Sequence, residues 1–254
     1  PVLACYRLGR MAFMLSACLG WQAQPLLRLL SLRGGAKMLP TTLESSLIAD
    51  DAAAVEAALG TRWRSCEQAV KGVSGMSILH VAAKHGSIKS LDLLLSHKCS
   101  ADAVRSDLVT PIMFAAQNGH EACVRRLIKA RANVNLAQAE GSTALHYGSR
   151  HGHAVCVAAL LAAGASVDAA RTADGLTATM IAAFHGRDAC LDLLLKAKAD
   201  TRAEALETGA TALHYACQAG HAAAVSALLR AKAPLEQSGH GMRGTTAAHL
   251  CAEA

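Results

Sequence analysis

Apolar positions in this chain follow a helical rhythm that restarts about every 33 residues. Five, eight and nine places after a recurring glycine stand Leu91, Leu94 and Leu95; Val124, Leu127 and Ile128; Val157, Leu160 and Leu161; Leu191, Leu194 and Leu195; Val225, Leu228 and Leu229. An i, i+3, i+4 stripe of this kind is one face of an α-helix. The glycines, Gly86, Gly119, Gly152, Gly186 and Gly220, suit a left-handed turn. Before each lies a short alanine-rich run, such as Ala115-Ala116 or Ala182-Ala183, opened by a hydroxyl residue. Those hydroxyls, Ser77, Thr110, Thr143, Thr177, Thr211 and Thr246, are 33, 33, 34, 34 and 35 residues apart. Each can cap a helix by accepting from a free backbone N–H, and Pro111 suits a first turn. The predicted unit is a short helix, a glycine turn and a longer amphipathic helix. One unit cannot bury its own stripe, so the units must stack into a solenoid.

The rhythm sets the boundaries. Repeats are expected at 77–109, 110–142, 143–176, 177–210 and 211–245, with a partial unit at 246–254. Thr41-Thr42-Leu43 and "DDAAAVEAAL" (50–59) mark a degenerate capping unit at 41–76, whose extra residues fall around Thr61–Ser74 with Trp63. A solenoid ending at Ala254 would expose an apolar face, which leads us to expect a longer protein.

The repeated stretches are "GMSILHVAAKHGS", "LVTPIMFAAQNGH", "GSTALHYGSRHGH", "GLTATMIAAFHGR" and "GATALHYACQAGH", with a further start, "GTTAAHLCA". They resemble the ankyrin-repeat family over about residues 41–254. The resemblance implies an all-α solenoid of helix-turn-helix units joined by β-hairpin-like loops. It departs from the family pattern where Met113 and Met180 replace the motif histidine and where only Pro111 keeps the motif proline. It also implies that His80, His146, His214 and His249 hydrogen-bond backbone between loops. Where the family commonly closes the second helix with glycine, this chain has Lys98, Arg131, Gly164, Lys198 and Lys232. A cation there partly offsets left-handed strain; the other reading is a basic ridge for acidic partners or anionic lipid.

Composition agrees with helices, since aromatics are only 3% of the chain and strands favour them. The formal charge of +6 does not point to nucleic acid. Residues 1–40 hold Arg7, Arg10, Arg28, Arg33 and Lys37 without an acid, and the remaining 20 basic and 19 acidic residues nearly cancel. That leader, with its apolar run Met11–Gly20, resembles a targeting segment. A disordered or untranslated stretch is the other reading, with Met11 and Met38 as candidate starts. The apolar run is too short to span a bilayer. Deleting residues 1–40 is expected to leave thermal stability unchanged. Nine cysteines without CxxC or CxxH spacing argue for reduced thiols in an intracellular, cytoplasmic protein, unless the leader is a genuine targeting signal.

Reactive readings fail on spacing. His151 and His153 lack converging ligands, because neighbouring repeats stand about 10 Å away. The column Cys123, Cys156, Cys190 is too widely spaced for disulfides and reads as small buried hydrophobes. "GHGMRG" (239–244) lacks the strand and helix that a dinucleotide site needs. No catalytic, cofactor or metal residue is expected.

The resemblance instead implies a monomeric module that binds another protein on its concave face. By the same resemblance, the binding positions are Lys84, His85, Gln117, Asn118, Arg150, His151, Phe184, His185 and Gln218, with Ser142 and Leu176 from the loops. Phe184 is the one large aromatic among them. An apolar ring amid cations predicts a partner segment with a hydrophobic anchor beside acidic residues, centred on the repeats at 143–176 and 177–210. Two other readings stay open: a recognition arm of a larger enzyme or channel, and a structural spacer.

Overall fold

The computed structural model describes residues 40–60, 76–237 and 246–253. The leader, the loop around Trp63 and the "GHGMRG" segment therefore lie outside the described residues. Thirteen helices are found among those described. The first described pair is α1 (Pro40–Ile48) and α2 (Ala52–Leu59). Four further pairs follow: α3 (Ile78–His85) with α4 (Ile88–Ser96), α5 (Pro111–Gln117) with α6 (Glu121–Lys129), α7 (Ala144–His151) with α8 (Ala154–Ala162), and α9 (Ala178–Phe184) with α10 (Asp188–Lys196). The last full pair is α11 (Ala212–Gln218) with α12 (Ala222–Arg230), and α13 (Ala247–Glu253) begins another. First helices pack on first helices of the next unit, and second helices on second helices, giving two layers. No described helix is long and apolar enough to cross a membrane.

The apolar stripe explains the layering. Leu91, Val124, Leu127, Val157, Leu160, Leu191, Leu194 and Leu228 are fully buried. The third member of each triplet is only partly covered, and Leu229 is exposed, so the buried stripe is narrower than the sequence pattern. In the first-helix layer, Ala82-Ala83, Ala115-Ala116 and Ala182-Ala183 are wholly buried, because only methyl-sized side chains fit between helices this close. In α7 the corresponding residues are Gly148 and Ser149.

Three hydrogen-bond ladders tie neighbouring units together. In one, the first residue after each loop glycine reaches back to the preceding first helix: His120 Nε2 to the Lys84 carbonyl (3.0 Å), His153 Nε2 to Gln117 (3.1 Å), Arg187 Nε to Arg150 (3.2 Å) and His221 Nε2 to Phe184 (3.1 Å). Gly119 makes room for this: its φ is +75°, and a Cβ there would stand 2.6 Å from the His153 ring. A second ladder joins loop tips, with the amides of Ala139, Ala173 and Leu206 donating to the carbonyls of Asp107, Glu140 and Asp174. In the third, the amides of Asn133, Ser166 and Asp200 donate to the side chains of Asp102, Asn135 and Asp168, each at 2.8 Å. The hairpin character of the loops is slight: two isolated bridges, Ala137 with Thr143 and Ala170 with Thr177, are found among the described residues.

One expectation gains a detail and another needs correction. The Thr177 hydroxyl accepts from the Met180 amide at 3.4 Å, and Ser77, Thr143 and Thr211 form capping boxes in which the hydroxyl accepts from the backbone of the third helical residue. The histidine at that third position closes each box. The amides of Ser77, Thr143 and Thr211 donate to Nδ1 of His80, His146 and His214 at 3.1, 3.1 and 3.2 Å, and the hydroxyls pair with the same atoms. Nε2 of His80 and His146 meets the carbonyls of Val109 (2.8 Å) and Leu176 (3.2 Å). A carbonyl only accepts, so Nε2 carries the hydrogen, and Nδ1 accepts from both the amide and the hydroxyl.

The correction concerns sulfur. Cys217 and Cys251 form a disulfide with Cα atoms 4.7 Å apart. Cys217 continues the column of Ala83, Ala116, Ser149 and Ala183, and Cys251 the adjacent column of Ala82, Ala115, Gly148, Ala182 and Ala216. Between these two small-residue columns the two Cα atoms come far closer than the ~10 Å assumed from helix packing. Cys123, Cys156 and Cys190 are buried free thiols, as expected for that column. Burial pushes each thiol up to about 11, which leaves them unreactive.

Candidate protein-binding face

The expected binding positions cluster at the ends of the first helices. Lys84, His85, Asn118, Arg150, His151, Phe184 and Gln218 are exposed, and Gln117 and His185 are half-buried. The first inter-repeat ladder fixes this row, because the carbonyls of Lys84, Gln117, Arg150 and Phe184 are themselves its acceptors. Side chains on a clamped backbone lose less freedom when they bind. Ser142 does not join them. It is 5% exposed, since the loop before α7 folds onto the stack, and it leaves the candidate face. Leu176 is half-buried and forms part of the floor of a cleft.

That cleft, of about 300 Å³, is lined by Arg150, Arg171, Leu176, Met180, Ile181, Phe184, His185 and Tyr215. Phe184 is 45% exposed, so it does not fold away onto the alanine layer. Its ring stands edge-on to Tyr215 (centroids 6.0 Å apart) and to His185 (5.1 Å). Edge-to-face contact is an arrangement that the ring quadrupoles favour. Arg171 and Tyr215 were missed by the sequence reading. Tyr215 had a signal available: the place after the motif histidine or methionine also holds Phe114, Tyr147 and Ile181, a bulky column beside the binding positions. Arg171 also had a signal: Arg105, Gln138 and Arg171 stand 33 residues apart, and the amide of each donates to the carbonyl just before the next capping hydroxyl.

The electrostatics of this face are cationic. Burial first, and then neighbouring Arg150 and Arg187, hold the His185 imidazole below its ordinary value. His151 is lowered by burial and by Arg150, His153 and Arg187. Arg150 makes no ion pair among the described residues, whereas Arg171 faces Asp174 at 3.2 Å and Glu140 at 3.8 Å. Two repeats earlier, Arg105 pairs with Asp107 and lies 5.8 Å over the Phe114 ring. His151 and His153 lie ring to ring, with centroids 6.2 Å apart, and His153 is committed to the Gln117 carbonyl. No group of three His, Cys, Asp or Glu among the described residues is placed to hold a metal.

Comparison with known proteins gives the context. A family model described as ankyrin repeats matches in overlapping stretches, residues 46–138, 79–171, 112–205 and 180–254. Among curated proteins, the E3 ubiquitin-protein ligase XB3 of Oryza sativa subsp. japonica is 39% identical over 54 residues, 21% of this chain and 12% of that protein. A protein of Arabidopsis thaliana is 43% identical over 51 residues, 20% of this chain and 11% of its own length. The matches thus span about an eighth or less of each relative. Among solved structures, the ankyrin repeat domain of Bcl-3 superposes with a TM-score of 0.71 at 21% identity, covering 82% of this chain and 92% of that one.

Proposed function

The chain belongs to the ankyrin-repeat family, and from that premise we propose that it works as a scaffold or adaptor whose concave face holds a partner protein. Ankyrin repeats are a protein–protein interaction module; the finer reading rests on the first-helix row. One observation carries it: exposed Phe184 and Arg150 share a cleft, and their carbonyls are held by the next repeat. An exposed aromatic beside arginine on a rigid backbone is the composition of binding hot spots. Such a surface needs neither cofactor nor metal, and the role is binding rather than catalysis. The repeats at 77–109, 110–142, 143–176, 177–210 and 211–245 serve as the binding units, between the capping unit at 41–76 and the partial unit at 246–254.

The test is affinity capture with two variants. Arg150→Glu with Phe184→Ala should abolish a saturable partner, while Lys129→Glu with Lys196→Glu, at second-helix ends, should retain it. The opposite pattern would favour the basic ridge. Absence of any saturable partner would favour a spacer.

A second reading has its own support. The rice relative is named as a ubiquitin ligase and matches over only a short part of its length. On this reading the repeats are the recognition arm of a longer enzyme. A full-length transcript that encodes a catalytic region beyond these repeats would establish it.

A further inference from the structure

We propose that the cleft beside Phe184 receives one apolar side chain from an extended acidic segment of a partner protein, with a neighbouring carboxylate seated on Arg150 and Arg171. This deepens the protein-binding reading above and rests on it. The size of the cleft comes first. About 300 Å³ lies at the lower limit of small-molecule sites, so it suits a single large side chain better than a cofactor. Leu176, Met180 and Ile181 make it apolar, and Phe184 and Tyr215 stand edge to face beside them.

A second, independent observation concerns Arg171. Its terminal nitrogen is engaged by Asp174 and Glu140, but its Nε is buried with no acceptor among the described residues. A buried N–H without an acceptor is unfavourable, so the guanidinium that lines the cleft is left under-satisfied by the chain itself. A charged guanidinium donates most strongly to a carboxylate. Arg150 lines the same cleft without an ion pair of its own among the described residues. The sign of the surroundings agrees, because Arg187 lies against Arg150; the imidazoles of His151 and His185, held below their ordinary value, stay neutral near pH 7 and offset none of that charge. The two carboxylates that face the cleft's arginines, Asp174 and Glu140, are both engaged with Arg171. A cationic rim around an apolar recess complements a segment in which Asp or Glu flanks a hydrophobic residue.

The experiment selects binders from a displayed library of random nine-residue peptides against the full 254-residue chain, then measures synthetic versions by fluorescence anisotropy. Enriched peptides should carry Asp or Glu within two positions of Leu, Ile, Met or Phe. Binding should weaken at least tenfold in Phe184→Ala and at least fivefold in Arg150→Ala and Arg171→Gln, with circular dichroism unchanged. Replacing the peptide's apolar residue by serine should cost as much as Phe184→Ala does. Because Arg171 also holds the loop, Arg150→Ala decides the electrostatic part if Arg171→Gln misfolds. Enrichment of basic or purely polar peptides overturns the proposal. So do acidic peptides that bind Phe184→Ala and Arg150→Ala undiminished, although the broader binding reading then survives. A selection that yields no saturable peptide removes both.

Discussion

The side chain of His146 shows how much one residue does in this stack. It joins the start of its own helix to the loop of the next unit, through Nδ1 on one side and Nε2 on the other. Burial, far more than any charge, pushes its pKa down to about 4. The unfolded chain titrates near 6.5, so the folded state binds fewer protons between those values. Stability is therefore full above pH 6.5 and falls as pH drops toward 4. His146 alone contributes roughly 3 kcal/mol to that loss, and His80, lowered for the same reason, adds to it. Urea midpoints measured from pH 7.5 to 4.5 should decline steadily, and His146→Gln should flatten the curve. A flat curve in the parent protein would contradict the buried neutral imidazole.

Helix ends carry the strain in this fold. Lys98, Arg131, Lys198 and Lys232 all have φ between 61° and 64°, the left-handed region, where Gly164 stands in the middle unit. A side chain there costs roughly 1–2 kcal/mol, and a cation at the helix C-terminus returns about 0.3–1 kcal/mol. The strain is the larger effect, so Lys198→Gly should stabilise by about 0.5–1 kcal/mol; a loss instead would show that the lysine makes a further favourable contact. At the turn inside each unit the balance is reversed. Gly119→Ala would place its Cβ on the His153 ring while keeping a positive φ, so it should cost about 2 kcal/mol or more. His153→Ala alone loses one inter-repeat bond, about 1 kcal/mol. Because the two side chains collide, the double variant should be more stable than the sum predicts, and strict additivity would rule out the collision.

Over the whole molecule, stability is a chain of neighbour contacts rather than one central core. Leu160 in α8 is fully buried, and α8 packs against both α6 and α10. Leu160→Ala should cost about 2–5 kcal/mol, measured by chemical denaturation. The equally buried Val55 lies in α2, whose second-helix neighbour among the described residues is α4. Val55→Ala should therefore loosen the unit of α1 and α2 first and leave the central repeats protected, as hydrogen exchange would show. Uniform loss of protection along the chain would indicate a single cooperative unit.

The sequence alone determined what is periodic. Spacing of hydroxyl, glycine and leucine implied stacked helix pairs, and the resemblance to the family then picked out the candidate first-helix positions from Lys84 to Gln218. The basic residues at the second-helix ends were legible because they replace an expected glycine. Chain folding decided what depends on distance between units. His153 stood visibly in a repeated place, but its acceptor lies 36 residues back. Cys217 and Cys251 fell under the general expectation of reduced thiols until stacking of two adjacent small-residue columns brought their Cα atoms within bonding range. Ser142 shared a loop position with Leu176, yet packing covered the one and left the other at the cleft. Arg171 and Tyr215, far apart in the chain, meet at Phe184 because neighbouring repeats superpose. A repeated pattern fixes what each unit looks like, since local periodicity is its cause; which groups meet across the seam is set by the stacking itself.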